Sequence, residues 1–265
     1  MDYLTVFRRA QPELEQWRQR QVRYPPEEPE RGSDLAEDDK VFRFQRISEM
    51  ARLSLISAGE HLRLVWDGLD RGNLYSSAQH TALRGALVGA AQGVWITAPD
   101  DAVTRQRRGH AVISESYEQL RKYQSRTLDV ASGLGLTPAG EQQVRAQREW
   151  IATRERALAA VQPAPMKLNV ADVVRDVGPV VFPEDPFRQA GLRLAWNTLS
   201  GDAHVLMWSL AQRAEFQAFG LPDRATGLSI GITGGHLGEL AGWYDLAMIT
   251  LRRGWRLFDR RCEGT

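Results

Sequence analysis

Apolar residues recur along this chain mostly at three- and four-residue steps, and that period predicts helices. A first short helix over 2–23 carries Leu4, Phe7, Leu14 and Trp17. A long amphipathic one runs from about 41, with Phe44, Ile47, Ala51, Leu55, Ala58, Leu62, Val65 and Leu69 on one face; Arg71-Gly72-Asn73 closes it. The stretch 74–97 differs in kind. Leu83, Leu87, Ala90 and Val94 mark one face, while Ala78, Gly85, Val88 and Trp95 mark another. A helix apolar on two sides belongs in the interior, and its many Gly and Ala residues let neighbours approach closely.

Pro99, Asp100 and Asp101 open a further helix through Val103, Ile113, Tyr117, Leu120 and Leu128, which Gly133-Leu134-Gly135 breaks. Thr137-Pro138 starts its return to about Val161, where Gln162-Pro163-Ala164-Pro165 ends it. Both are polar outside their seam, which predicts a projecting antiparallel helical hairpin over about 100–162. A short helix follows Asn169. Asp185-Pro186, an N-cap followed by a ring fixed at helical φ, then opens a central helix over 187–219. Leu192, Ala195, Leu199, Ala203, Leu206 and Leu210 form its apolar stripe, and Gly201 within it implies close backbone approach or a kink. Period-two alternation near 221–232 predicts one small extended or hairpin segment. Gly234-Gly235 leads into a last helix with Leu237, Leu240, Tyr244, Ala247, Leu251 and Trp255 buried. The fold class is all-α: a helical bundle with a projecting hairpin.

The segment 24–39 breaks this pattern with Pro25, Pro26, Pro29 and a run of acids, too polar to offset its ordering entropy. It reads as a mobile connector, making 1–40 an N-terminal arm plus linker and 41–265 a single bundle domain.

Composition narrows the function classes. The 265 residues carry a net charge of +1, so no global field draws the chain to nucleic acid or membrane. Its basic residues are 31 arginines and three lysines, a bias that fits a GC-rich coding sequence. One cysteine, Cys262, allows neither an internal disulfide nor a cysteine zinc site. No signal-like or membrane-spanning apolar run is present, so the expected compartment is the cytoplasm. Phosphate-loop, dinucleotide, zinc-protease and serine-hydrolase motifs are absent. The five histidines, His61, His80, His110, His204 and His236, include no pair three or four apart, so no metal site is predicted.

Two clusters remain as candidate chemistry. Arg84 lies in the apolar 74–97 helix, with His80 one turn before it. A buried guanidinium requires a partner, and Glu60, Asp67 or Glu115 are the candidate carboxylates. On the central helix Trp196, Ser200, His204 and Trp208 are each four apart and form a polar-aromatic stripe, with Asn197 beside it. His80, Arg84, Trp196, Asn197, Ser200 and His204 are therefore the candidate ligand-binding residues, with His204 expected in the bundle interior.

The helical layout, Arg105-Gln106-Arg107-Arg108-Gly109-His110 and the stretch Asn197 to His204 resemble HEPN-type helical proteins, and uncharacterised bacterial proteins of the same bundle type. Catalytic HEPN domains carry an Arg, four to six residues and a His, and act as metal-independent ribonucleases. The resemblance implies that Arg105 would stabilise phosphate charge and His110 would move protons to or from the 2′-hydroxyl and leaving oxygen. Gln106 stands where that family places a small polar residue.

Two readings follow. One is a non-catalytic helical bundle that binds a partner or small anionic ligand through the Arg84–His204 polar cluster. The other is a HEPN-like endoribonuclease of toxin or defence type, with RNA as substrate and a homodimer as the working form. Neither calls for a cofactor, a metal or a membrane.

Overall fold

The computed structural model describes residues 2–24, 28–131, 133, 135–162, 166–212 and 216–264. Pro25 and Pro26 of the proposed connector, Leu134 of the helix break and Pro163 to Pro165 of the helix stop lie outside them. Among the described residues the regular structure is helical, apart from one two-stranded sheet. No helix among them is long and apolar enough to cross a membrane. The chain forms two compact units. The first comprises Met1–Glu28, Arg52–Trp95 and Val170–Asp259, the second Pro29–Ala51, Ile96–Asn169 and Arg260–Thr265.

The first unit contains α1 (Leu4–Val22), most of α3 (Ile47–Asp70) and of α4 (Ala78–Thr97), then α7 (Val170–Val181), α8 (Pro186–Ala203) and α9 (Met207–Ala211). It also holds most of α10 (Leu237–Cys262). Glycines set how closely its central helices approach. A Cβ on Gly85 would meet the His61 ring, and one on Gly89 would fall 2.6 Å from the Ser54 carbonyl oxygen. One on Gly93 would fall 2.5 Å from Leu55 Cδ2, and one on Gly254 of α10 would strike the same methyl. Three α4 glycines, one turn apart, thus form the track on which α3 lies. This meets the expectation of an interior helix that admits close neighbours.

α1 is not a free arm. Phe7 is fully buried with its ring 4.6 Å from that of Tyr244, and Trp17 stacks on Trp255 at 6.2 Å. Glu13 pairs with Arg252 at 2.8 Å and Arg20 with Asp259 at 2.7 Å. The apolar positions Phe7 and Leu14, together with these ion pairs, dock it. The small extended or hairpin segment expected near 221–232 is a hairpin whose strands lie at the two ends of a loop. Strands β1 (Phe216–Ala218) and β2 (Gly231–Thr233) flank that loop in antiparallel register, Gln217 opposite Ile232.

The second unit is built on α2 (Asp34–Asp39), α5 (Ala102–Asp129) and α6 (Pro138–Val161), with the first turn of α3. Asp101 and Thr137 cap α5 and α6, accepting from Thr104 N and Gly140 N. These two helices form the expected antiparallel hairpin, with Arg121 pairing to Glu155 at 3.4 Å.

α2 corrects the reading of 24–39 as a mobile connector. Ser33 caps it, Leu35 is fully buried and Asp38 is 1% exposed. One leucine and the aspartates of this segment dock because arginines of the same unit receive their charge. Composition averaged over the segment hides that.

Candidate functional site

Arg105 sits in the first turn of α5 and is 1% exposed. Its Nε donates to Asp38 Oδ2 at 2.7 Å, and Nη1 donates to the Pro99 and Asp100 carbonyls at 3.2 and 2.7 Å. Nη2 stands 3.3 Å from Asp34 Oδ1. Gln106 Nε2 satisfies the second Asp38 oxygen at 3.0 Å. Arg261, near the end of α10, completes the network. It donates from Nη1 to Asp34 at 2.5 Å, from Nη2 to the Asp100 carboxylate and the Pro99 carbonyl, and from Nε to the Thr97 carbonyl. The hydrogen bond from Arg261 is the first cause holding the Asp100 carboxyl below its ordinary range. The donor fork of Arg105 is thereby committed within the unit, and its guanidinium presents no open edge to a phosphate.

His110 lies five residues on, well round the α5 surface. It is 3% exposed, with Nδ1 2.9 Å from Gln162 Oε1 and its ring edge-on to Phe42 at 6.0 Å. Desolvation is the main influence on the ring and lowers its pKa, favouring the neutral form. A neutral Nδ1–H tautomer donating to Gln162 fits these contacts. The Arg105 and His110 of the sequence motif therefore have separate surroundings, each closed to solvent.

The second cluster survives only in part. Arg84 of α4 is half-buried and its Nε donates to Ser200 Oγ of α8 at 3.1 Å. The expected carboxylate partner is not there: among the described residues no acid pairs with Arg84. His80, one turn before it, is fully buried. Trp196 is half-buried, and its indole Nε1–H is enclosed without an acceptor among the described residues. Asn197 faces solvent.

His204 is the clear correction. It was expected in the interior, yet it is exposed, and α8 ends just before it rather than continuing to 219. The chain leaves the helix through Val205, whose φ of 56° is left-handed. Val205 N donates to the Asp202 carbonyl at 3.1 Å and Leu206 N to the Gly201 carbonyl at 2.9 Å. This paired closure, with a left-handed residue after the cap, is the Schellman pattern. The next helix then folds back on Gly201, where a Cβ would meet Ser209 Cβ and Trp208 Cζ2, both at 2.8 Å. Asp202, 2% exposed, accepts from Ser209 Oγ at 3.2 Å. The close approach read from Gly201 is real, but it serves a turn, and the turn carries His204 outward.

Asp34, Asp38 and Arg261 are the charged residues that pattern reading passed over. Ser33 ahead of Asp34 and Glu37 was the available signal, a cap with acids in the first turn. Among the described residues, no group of three or more His, Cys, Asp or Glu side chains is placed to hold a metal ion. Comparison with known protein families, with curated proteins and with solved structures finds no match for this chain.

Proposed function

We propose that the protein is a non-catalytic binding protein whose Arg84–Ser200 pair receives a small anion or an acidic group of a partner. The supporting observation is the nature of Arg84's partner. Arg105 and Arg261 meet carboxylates, whereas half-buried Arg84 meets, among the described residues, only the Ser200 hydroxyl. A guanidinium has five N–H donors, so most of Arg84's capacity remains for an oxyanion. The enclosed Trp196 N–H, one helical turn from Ser200, adds a donor on the same face of α8. Such a group is rich in donors and poor in acceptors, which suits a carboxylate or phosphate.

The ribonuclease alternative asks Arg105 to bind phosphate and His110 to reach a hydroxyl, and their burial and existing partners weigh against both roles.

Thermal unfolding of wild type and Arg84→Gln, with inorganic phosphate or acetate titrated at constant ionic strength, tests the proposal. Wild type is expected to gain stability saturably with one of the anions, and the variant to lose that gain. Equal responses in both proteins would overturn it.

A further inference from the structure

We propose that the groove between α5 and α6 is a binding site for a small, uncharged, planar molecule that carries an N–H donor. This site lies wholly within the helical hairpin and is independent of the Arg84 reading. The groove has a volume of about 580 Å³, within the range of small-molecule sites. Ile151 and Gln124, 0% and 2% exposed, form its floor, and Leu120 and Trp150, 40% and 51% exposed, form its walls. Gln143 and Gln147, one turn apart on α6, stand on the rim.

Three features define the occupant. None of the lining residues is ionisable, so a charged ligand would lose hydration without gaining a counter-charge. Flat apolar surface is offered by the Trp150 indole, which Arg154 covers from one side with its guanidinium 3.3 Å from the ring centroid. Such packing holds an aromatic wall in place at little further entropic cost. Finally, Gln124, one of the groove-lining residues, has a buried Oε1 with no hydrogen-bond partner among the described residues. Buried carbonyl oxygens are rarely left so, and an N–H from a seated ligand supplies the missing donor. Apolar walls around one orienting polar group are the usual composition of a small-molecule site.

The test uses the full chain with quinolin-2(1H)-one as probe and its N-methyl analogue, which cannot donate, as comparison. Ligand-observed NMR titration is expected to show binding of the parent, with the N-methyl form weaker by roughly tenfold. Gln124→Leu should abolish that discrimination while retaining binding of both. Ala146→Trp, at an exposed lining position, should fill the groove and abolish binding of both. It also keeps the test decisive if circular dichroism shows that Gln124→Leu fails to fold. No binding of either probe, or binding unaffected by Ala146→Trp, would overturn the proposal. So would a change in oligomeric state with Ala146→Trp and no probe binding, because the groove would then be a protein-docking surface.

Discussion

Arg105 Nε and Asp38 Oδ2 are 2.7 Å apart, and each residue is only 1% exposed. A cation from α5 and an anion from α2 thus satisfy one another where water does not reach. Such a pair does little for net stability compared with an apolar pair, but removing one member strands the other. Arg105→Met is expected to destabilise the protein by about 3–5 kcal/mol in urea unfolding. Arg105→Met with Asp38→Leu should recover much of that loss. Equal destabilisation by the single and double variants would show that Asp38 is not the charge left stranded.

Burial of His110 makes a pH prediction. Desolvation lowers its pKa in the folded protein below the ordinary 6.5, so the unfolded chain takes up the proton first as pH falls. The stability held by neutral His110 is complete above about 6.5 and declines as pH drops through that value towards the folded pKa. The urea midpoint of wild type should therefore fall between pH 7 and 5, and His110→Gln should flatten that slope. Glu15 does not confuse the window. Hydrogen bonds from Arg18, then Arg63, hold its carboxyl at about 2, so its effect extends to more acidic solution.

Val205 adopts a backbone conformation that β-branched residues disfavour. It is 81% exposed, so its side chain contributes little burial in return. Val205→Gly is expected to raise stability by about 0.5–1 kcal/mol, the relief of left-handed strain exceeding glycine's added chain entropy. A lower unfolding midpoint in the variant would mean that the Val205 side chain stabilises the turn in another way.

Leu55 is fully buried and fills the space that glycines at 93 and 254 leave open. Gly93→Ala is expected to destabilise by about 1–3 kcal/mol through overpacking. Leu55→Ala alone should cost about 2–5 kcal/mol by opening a cavity. Combined, the two should cost clearly less than their sum, because the new methyl occupies part of the vacated volume. Simple additivity in chemical denaturation would show that the α3–α4 contact relaxes elsewhere.

Periodicity and helix-start residues determined the helical class, the α5–α6 hairpin, the helix starts at Asp101, Thr137 and Asp185, and the interior character of α4. These depend on local spacing, capping geometry and which face of a helix is apolar, all of which a sequence displays directly. Tertiary structure decided the rest. Asp34 and Asp38 look like part of a solvated acidic run until Arg105 and Arg261, from distant parts of the chain, meet them. Arg84 looks bound for a carboxylate until α8 presents Ser200. His204 continues the four-residue stripe in sequence, yet the fold-back of α9 onto Gly201 ends the helix and turns the ring to solvent. Charge pairing and close backbone approach act through space between residues far apart in the chain or across a turn, so a pattern read along one helix does not contain them.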